Sequence, residues 1–178
     1  MSRIYCTKKL QKFIGQVDEK LPSDFNEITI NDWNAHLFFL NKRKHFIFVN
    51  NLTFYTIFLT DILKKDLKNI DIIFRNKLQE QLVYDKIIDE SEFAESIFPS
   101  LEMIFFKTNN NKKVIGRINE FSYMFKVHCF YKSDKIKEMN AVYENGLINQ
   151  IPTGKLYETR KGWSSPIENL KEIIKTGS

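Results

Sequence analysis

The sequence predicts a single α+β domain spanning residues 1–178, in which a mainly antiparallel sheet is packed by about five to six helices. Three observations lead there. First, three consecutive segments, residues 33–40, 44–50 and 53–59, are rich in Phe, Ile, Val, Thr and Tyr and are each one strand long. Second, Leu67, Ile70, Phe74, Leu78 and Leu82 recur at helical spacing between Lys65 and Tyr84, with Lys68, Arg75, Lys77 and Glu80 on the other side. Third, 178 residues with 43% hydrophobic content and sixteen Phe suffice for one substantial core.

Taken in order, Arg3–Cys6 has the residues of a short strand, and Thr7 is placed to cap a helix whose apolar residues are Leu10, Phe13 and Ile14. Gly15 closes that helix. Residues 16–32, with Pro22 and few large apolar side chains, read as a connecting loop. The three strand segments then form an antiparallel meander. Both of its faces carry apolar side chains, so helices or a second subunit must cover both. After the long helix, an acidic helix is expected over residues 91–98, ended by Pro99, and the strand character of residues 101–107 is expected to join the same sheet. Ile115, Ile118, Phe121, Ser122, Phe125, His128 and Cys129 mark the buried stripe of another helix. A further helix runs from about Asp134 to Asn149. Finally, Ser165-Pro166-Ile167-Glu168 is a capping box that opens a closing helix with Ile167, Leu170 and Ile174 as its apolar face.

Charge is distributed unevenly around a net value of +5. Residues 51–100 are net negative, with acid concentrated between Asp85 and Glu95, and the rest of the chain is net positive. Only five of the 27 basic residues are Arg. That composition disfavours bidentate reading of guanine edges and leaves loose phosphate contact through Lys open. No apolar stretch is long enough to cross a bilayer and the amino terminus lacks a hydrophobic signal segment, so no membrane association and a bacterial-type cytoplasm are expected. Cys6 and Cys129 are expected to be thiols in a reducing compartment.

The segment Lys107-Thr108-Asn109-Asn110-Asn111-Lys112-Lys113 is a polar turn between an expected strand and an expected helix. A helix start exposes unpaired N–H groups and the positive end of the dipole, so with Lys112, Lys113 and Arg117 it makes a candidate anion or phosphate site. Gly116 would permit close backbone approach. The competing reading is that Asn110 or Asn111 merely caps the helix while the lysines are solvated. No GxGxxG or GxxxxGK[ST] pattern is present, which argues against a standard nucleotide-binding loop. Arg43 and Lys44, next to aromatic residues, are secondary candidates for base stacking and phosphate contact.

The histidines offer little chemistry at this level. His36 and His45 flank the first hairpin three to four positions out of register, too far apart to share a metal. His128 reads as a core histidine beside Cys129, with no orienting acid at i+3 or i+4. HExxH, paired CxxC and GxSxG are absent. The acidic group Asp85, Asp89, Glu90, Glu92 and Glu95 lacks the ligand spacing of a calcium loop and reads as a solvated surface. No metal, cofactor or catalytic residue is assigned.

Several motifs carry a resemblance. Cys6-Thr7-Lys8-Lys9-Leu10, Trp33 with Ala35, Arg43-Lys44 through Phe48-Val49-Asn50, Thr53 to Thr56, and Lys107-Thr108-Asn109-Asn110 with Gly116 and Asn119 resemble a family of small uncharacterised bacterial proteins, a domain of unknown function. The likeness extends to about Pro152, and Asn111-Lys112-Lys113 stands where the family pattern has Arg-Ser. The resemblance implies a single domain and carries no activity, substrate or catalytic residue.

The leading expectation is a noncatalytic binding module for an anionic partner, nucleic acid or nucleotide, using Thr108, Asn109, Asn110, Lys112, Lys113 and Arg117 with Arg43 and Lys44. It requires the amides around Asn111 to Val114 to be open to an outside anion. The alternative is a protein-interaction role, an inhibitor or antitoxin-like partner or a homodimer, motivated by the acidic segment and the surplus of Phe. A third reading is a phosphoester-acting enzyme with His36 or His45 near Arg43.

Overall fold

The computed structural model describes residues 2–15, 17–18, 28–92, 94, 97–98, 102–132, 140–153 and 163–176. The strands are β1 (Ser2–Cys6), β2 (Asp32–Leu40), β3 (Arg43–Asn50), β4 (Thr56–Leu59) and β5 (Met103–Lys107). The helices are α1 (Lys8–Ile14), α2 (Ile70–Tyr84), α3 (Lys112–Lys132), α4 (Ala141–Asn149) and α5 (Pro166–Thr176), with a 3₁₀ segment, Lys64–Asn69, leading into α2. Parts of two expected helices, residues 91–98 and 134–149, lie outside the described residues.

The five strands form one sheet in the order β4-β3-β2-β1-β5. The meander β2-β3-β4 is antiparallel as its short turns require. The sheet as a whole is mixed, a correction to the mainly antiparallel expectation, because β1 lies between β2 and β5 and is parallel to both. A charge neutralised inside the sheet lets β1 lie there. Arg3 faces Asp32 in the β1–β2 register, and the two form a bidentate ion pair with side chains only 4% and 2% exposed. Asp32 also accepts the Thr29 N–H at 2.6 Å. With its carboxylate supplied by β2, this Arg-bearing strand occupies the middle of the sheet.

Helices of the same chain cover both faces. On the first face, Ile4, Trp33, Ala35, Leu37, Phe46, Phe48, Ile57 and Leu59 pack with Leu10 of α1, Phe74, Leu78 and Leu82 of α2, and Leu170 of α5. On the second, Phe38, Ile47, Val49 and Phe58 pack with Val114, Ile118, Phe121, Phe125 and Cys129 of α3 and Ile148 of α4. Phe125 stacks on Phe58 at 4.2 Å, and both rings also meet Phe38 edge-on. α3 therefore runs from the Phe54 end of the sheet to the Phe38 end.

Local signals are realised where the sequence placed them. Ser165 and Glu168 form the reciprocal capping box of α5: Glu168 N–H donates to Ser165 Oγ, and Ser165 N–H to Glu168 Oε2 at 2.7 Å. Asn41 and Lys42, both at positive φ, form the two-residue β2–β3 turn. α4 closes the β4 side. Asn149 accepts the Thr56 N–H at 2.8 Å and donates to the Thr56 carbonyl and to Asp85. Tyr55 also donates to Asp85, at 2.7 Å, and burial pushes that carboxyl up. Asp85 thus departs from the solvated acidic surface expected for its segment. Among the described residues no helix is long and apolar enough to cross a membrane, and Cys6 and Cys129 are buried free thiols.

Candidate nucleic-acid interface

The turn that joins β5 to α3 is internally bonded. Asn110 N–H donates to Thr108 Oγ1, Asn111 N–H to Asn109 Oδ1, and Val114 N–H to Asn111 Oδ1, which makes Asn111 the helix cap. Ile115 N–H takes the Asn111 carbonyl. The expectation of open amides from Asn111 to Val114 is therefore corrected: Asn111 and Val114 are occupied by side chains, and only Lys112 and Lys113 N–H lack a partner among the described residues. Thr108 and Asn109 brace the turn through their side-chain oxygens, and Asn109 and Asn110 are exposed.

The side chains beyond the turn form a different arrangement. Lys112, Lys113, Gly116 and Arg117 line one open cavity of about 510 Å³ together with Phe54, Glu120, Thr153 and Trp163. Arg117 is committed there. It pairs with Glu120, donates to the Thr153 carbonyl, and lies 5.8 Å from the Phe54 ring centre. Thr153 in turn donates from its N–H to the Ser164 carbonyl at 2.9 Å, and Ser164 is held by Asn169, so these bonds place the neighbouring Trp163. Trp163 is 76% exposed and Tyr123, on α3, is 68% exposed. Lys112, Gly116, Asn119, Tyr123 and Lys126 fall at successive steps of four and three along the same helix, one outward ridge about 21 Å long.

Arg43 and Lys44 are not part of this group. β3 begins at Arg43 and ends at Asn50, and Asn51, Leu52 and Phe54 just beyond it share a hollow with Lys113. The two basic clusters thus stand at opposite ends of β3, about 23 Å apart along the strand. Arg43 pairs with Asp61 at 2.6 Å, while the Lys44 ammonium lies over Phe13 and Phe39.

The histidines are placed more closely than expected. His36 pairs with Ile47 and Phe38 with His45, so the two histidines are offset by two positions on one sheet face. His45 is sealed, stacked on Phe38 at 5.4 Å, and neither ring nitrogen has a hydrogen-bond partner among the described residues. Burial pushes its pKa down. That removes His45 from any acid–base role. His36 is half-buried, shares a 2.8 Å hydrogen bond between Nδ1 and Thr7 Oγ1, and is pushed down to about 4 by burial and then by Lys9 and Lys126. His128 has an orienting acid after all, supplied by another helix: its Nδ1 is 3.0 Å from Glu144 Oε2. The adjacent Cys129 thiol is pushed up to about 12 by burial first, which leaves it unreactive at neutral pH. No cluster of three metal-ligating side chains occurs among the described residues.

Sequence reasoning located Lys112, Lys113 and Arg117 but missed Trp163 and Tyr123. A signal for Tyr123 was available, since it is an aromatic residue on the polar side of an amphipathic helix. Trp163 lies in a loop fifty residues from Lys113, and no periodicity connects them. The surplus of Phe is taken up by the two cores; Phe39 is the large Phe side chain left exposed among the described residues.

No curated protein and no solved structure matches the chain. A family model described as a domain of unknown function (DUF6933) matches residues 3–169, and the chain belongs to that family.

Proposed function

We propose that this chain is a noncatalytic binding module for an anionic partner, a nucleic-acid strand or a nucleotide, which it holds along the outer face of α3. The reading does not rest on the amides that open α3, two of which are taken by side chains; what carries it is the cavity in which Lys112 and Lys113 face exposed Trp163. Two ammonium groups without a carboxylate partner among the described residues supply phosphate contact, and an open indole supplies a sequence-tolerant stacking surface. Arg117 acts as a positioning residue, because Glu120 neutralises it and Thr153 holds it. A cavity of about 510 Å³ is in the size range of small-ligand sites and accepts one nucleotide unit. Beyond it, Asn119, Tyr123 and Lys126 continue the ridge, which supports a strand over a mononucleotide. With no arginine available for bidentate contact in the cavity, the reading implies weak dependence on base sequence.

Trp33 is sealed in the first core, so quenching by a ligand reports on Trp163. A single-stranded oligonucleotide is expected to quench the fluorescence, with affinity falling as salt rises. In the Lys112→Ala/Lys113→Ala variant the log–log salt slope falls by about 1.4 for a single strand and by roughly two for a duplex. Binding that ignores salt, or no quenching at all, sinks the proposal.

A further inference from the structure

A second hollow adjoins the Lys112–Trp163 cavity. It measures about 170 Å³ and is lined by Asn51, Leu52, Asn111 and Val114, while Phe54 and Lys113 line both spaces and so stand between them. The wall supplied by the β3–β4 connection is braced from within. Asn50 Oδ1 accepts the N–H groups of Leu52 and Thr53 and the Thr53 hydroxyl, and Phe54, at φ 61°, donates its N–H to the Asn50 carbonyl. Positive φ is costly for an aromatic residue, and these bonds hold it there.

The side-chain polar groups that remain in the hollow are donors. Asn51 is only 7% exposed; its N–H donates to the Asp32 carbonyl and its Oδ1 accepts from Asn34 Nδ2 at 2.7 Å. Its amide NH₂ is left, with no acceptor among the described residues, and a buried donor without a partner is costly unless something supplies one. Asn111 repeats the pattern: Oδ1 accepts the Val114 N–H, and the NH₂ group is unpaired among the described residues. Lys113 adds an ammonium. Among the described residues no acidic side chain lines this hollow.

We propose that the hollow holds the phosphate next along the strand from the nucleotide unit in the cavity, so that the chain grips two successive phosphates with Lys113 between them. The inference rests on the reading of the cavity as a nucleotide site and gives the strand its course: over the hollow, past Phe54, and out along Asn119, Tyr123 and Lys126. Two amide NH₂ groups and one ammonium match phosphate oxygens, which only accept. The volume falls below the ~300 Å³ at which small-ligand sites begin, which suits one group rather than a second nucleoside.

The test titrates the full chain with a nucleoside 5′-monophosphate, the 3′-monophosphate and the 3′,5′-bisphosphate at constant ionic strength, read by Trp163 fluorescence. The bisphosphate is expected to bind about tenfold more tightly than either monophosphate. Asn111→Ser keeps a capping oxygen for α3 and removes the NH₂ group, and should cut that advantage to about threefold. Asn51→Asp keeps an acceptor for Asn34 and sets an oxygen where the NH₂ stood, and should abolish it. If Asn51→Asp does not fold, Asn111→Ser decides alone. A bisphosphate that binds no better than the monophosphates overturns the proposal, and so does an advantage unchanged in the folded variants, which overall charge would supply without the hollow. Absence of quenching by all of these ligands and by an oligonucleotide defeats the reading of the cavity and this inference with it, whereas quenching without the bisphosphate advantage defeats this inference alone.

Discussion

At the β2–β3 hairpin, Arg43 is bound to Asp61 and Lys44 lies over two aromatic rings, whereas at the amino end of α3 Lys112 and Lys113 are left beside an exposed indole. Both are adjacent pairs of basic residues next to a turn, and in the sequence they look alike. The difference lies in what the fold brings to them. Asp61 reaches Arg43 because β4 pairs with β3 and carries the following residues alongside it. Among the described residues no acidic side chain pairs with Lys112 or Lys113, and Glu120, the nearest acid along α3, is taken by Arg117. A cation committed to a carboxylate serves the fold, and one left uncommitted presents its charge to solvent.

That contrast can be tested at four strengths. The extreme of commitment is Arg3–Asp32. Asp32→Ala removes the carboxylate that neutralises a buried guanidinium and is expected to cost about 3–5 kcal/mol in chemical denaturation. Next come the uncommitted lysines: at 0.1 M salt, Lys112→Ala/Lys113→Ala should weaken single-strand binding about twentyfold, while Arg43→Ala/Lys44→Ala changes it less than about twofold. Equal losses in the two double variants would erase the distinction. The third test concerns His45, a basic group on which burial outweighs the nearby charge of Asp61 and pushes the pKa down. Its folded pKa lies below the unfolded value of about 6.5, so the unfolded chain takes up the proton first as pH falls. Stability should be fully present above pH 6.5 and decline below it, and the decline should be shallower in His45→Phe than in the parent, as read from denaturation midpoints between pH 7 and 5. The comparison with the variant removes the opposite contribution of Asp85, whose raised carboxyl pKa favours the fold at lower pH. Smallest is Asp61→Ala, which breaks an exposed pair and should change stability by no more than about 1 kcal/mol.

What could be read from the sequence was whatever is decided over a few residues. The Ser165–Glu168 capping box, the turn before β3 and the apolar stripe of α2 each depend on neighbours within four or five positions, and each is found. The place of β1 was not legible. It depends on Arg3 meeting Asp32 across 29 residues, and a strand's own alternation does not name its neighbour. The candidate site divides the same way. Lys112, Lys113 and Arg117 share one helix and were visible as a group. Among the described residues, Trp163 joins them through the path from Arg117 to Thr153 and Ser164. Thr7 was read as a helix cap because Thr before a helix commonly caps it, and its turn toward His36 depends on where β1 stops beside β2.

Asn149 has a consequence for how copies of this protein can meet. By taking the N–H and returning a donor to the carbonyl of Thr56, its amide imitates a neighbouring strand on the outer side of β4. An extended segment of a second molecule would have to displace that amide, and α4 with it, before it could add to the sheet there. Strand addition by a second copy is therefore opposed at the Thr56 end of β4 by the chain's own helix.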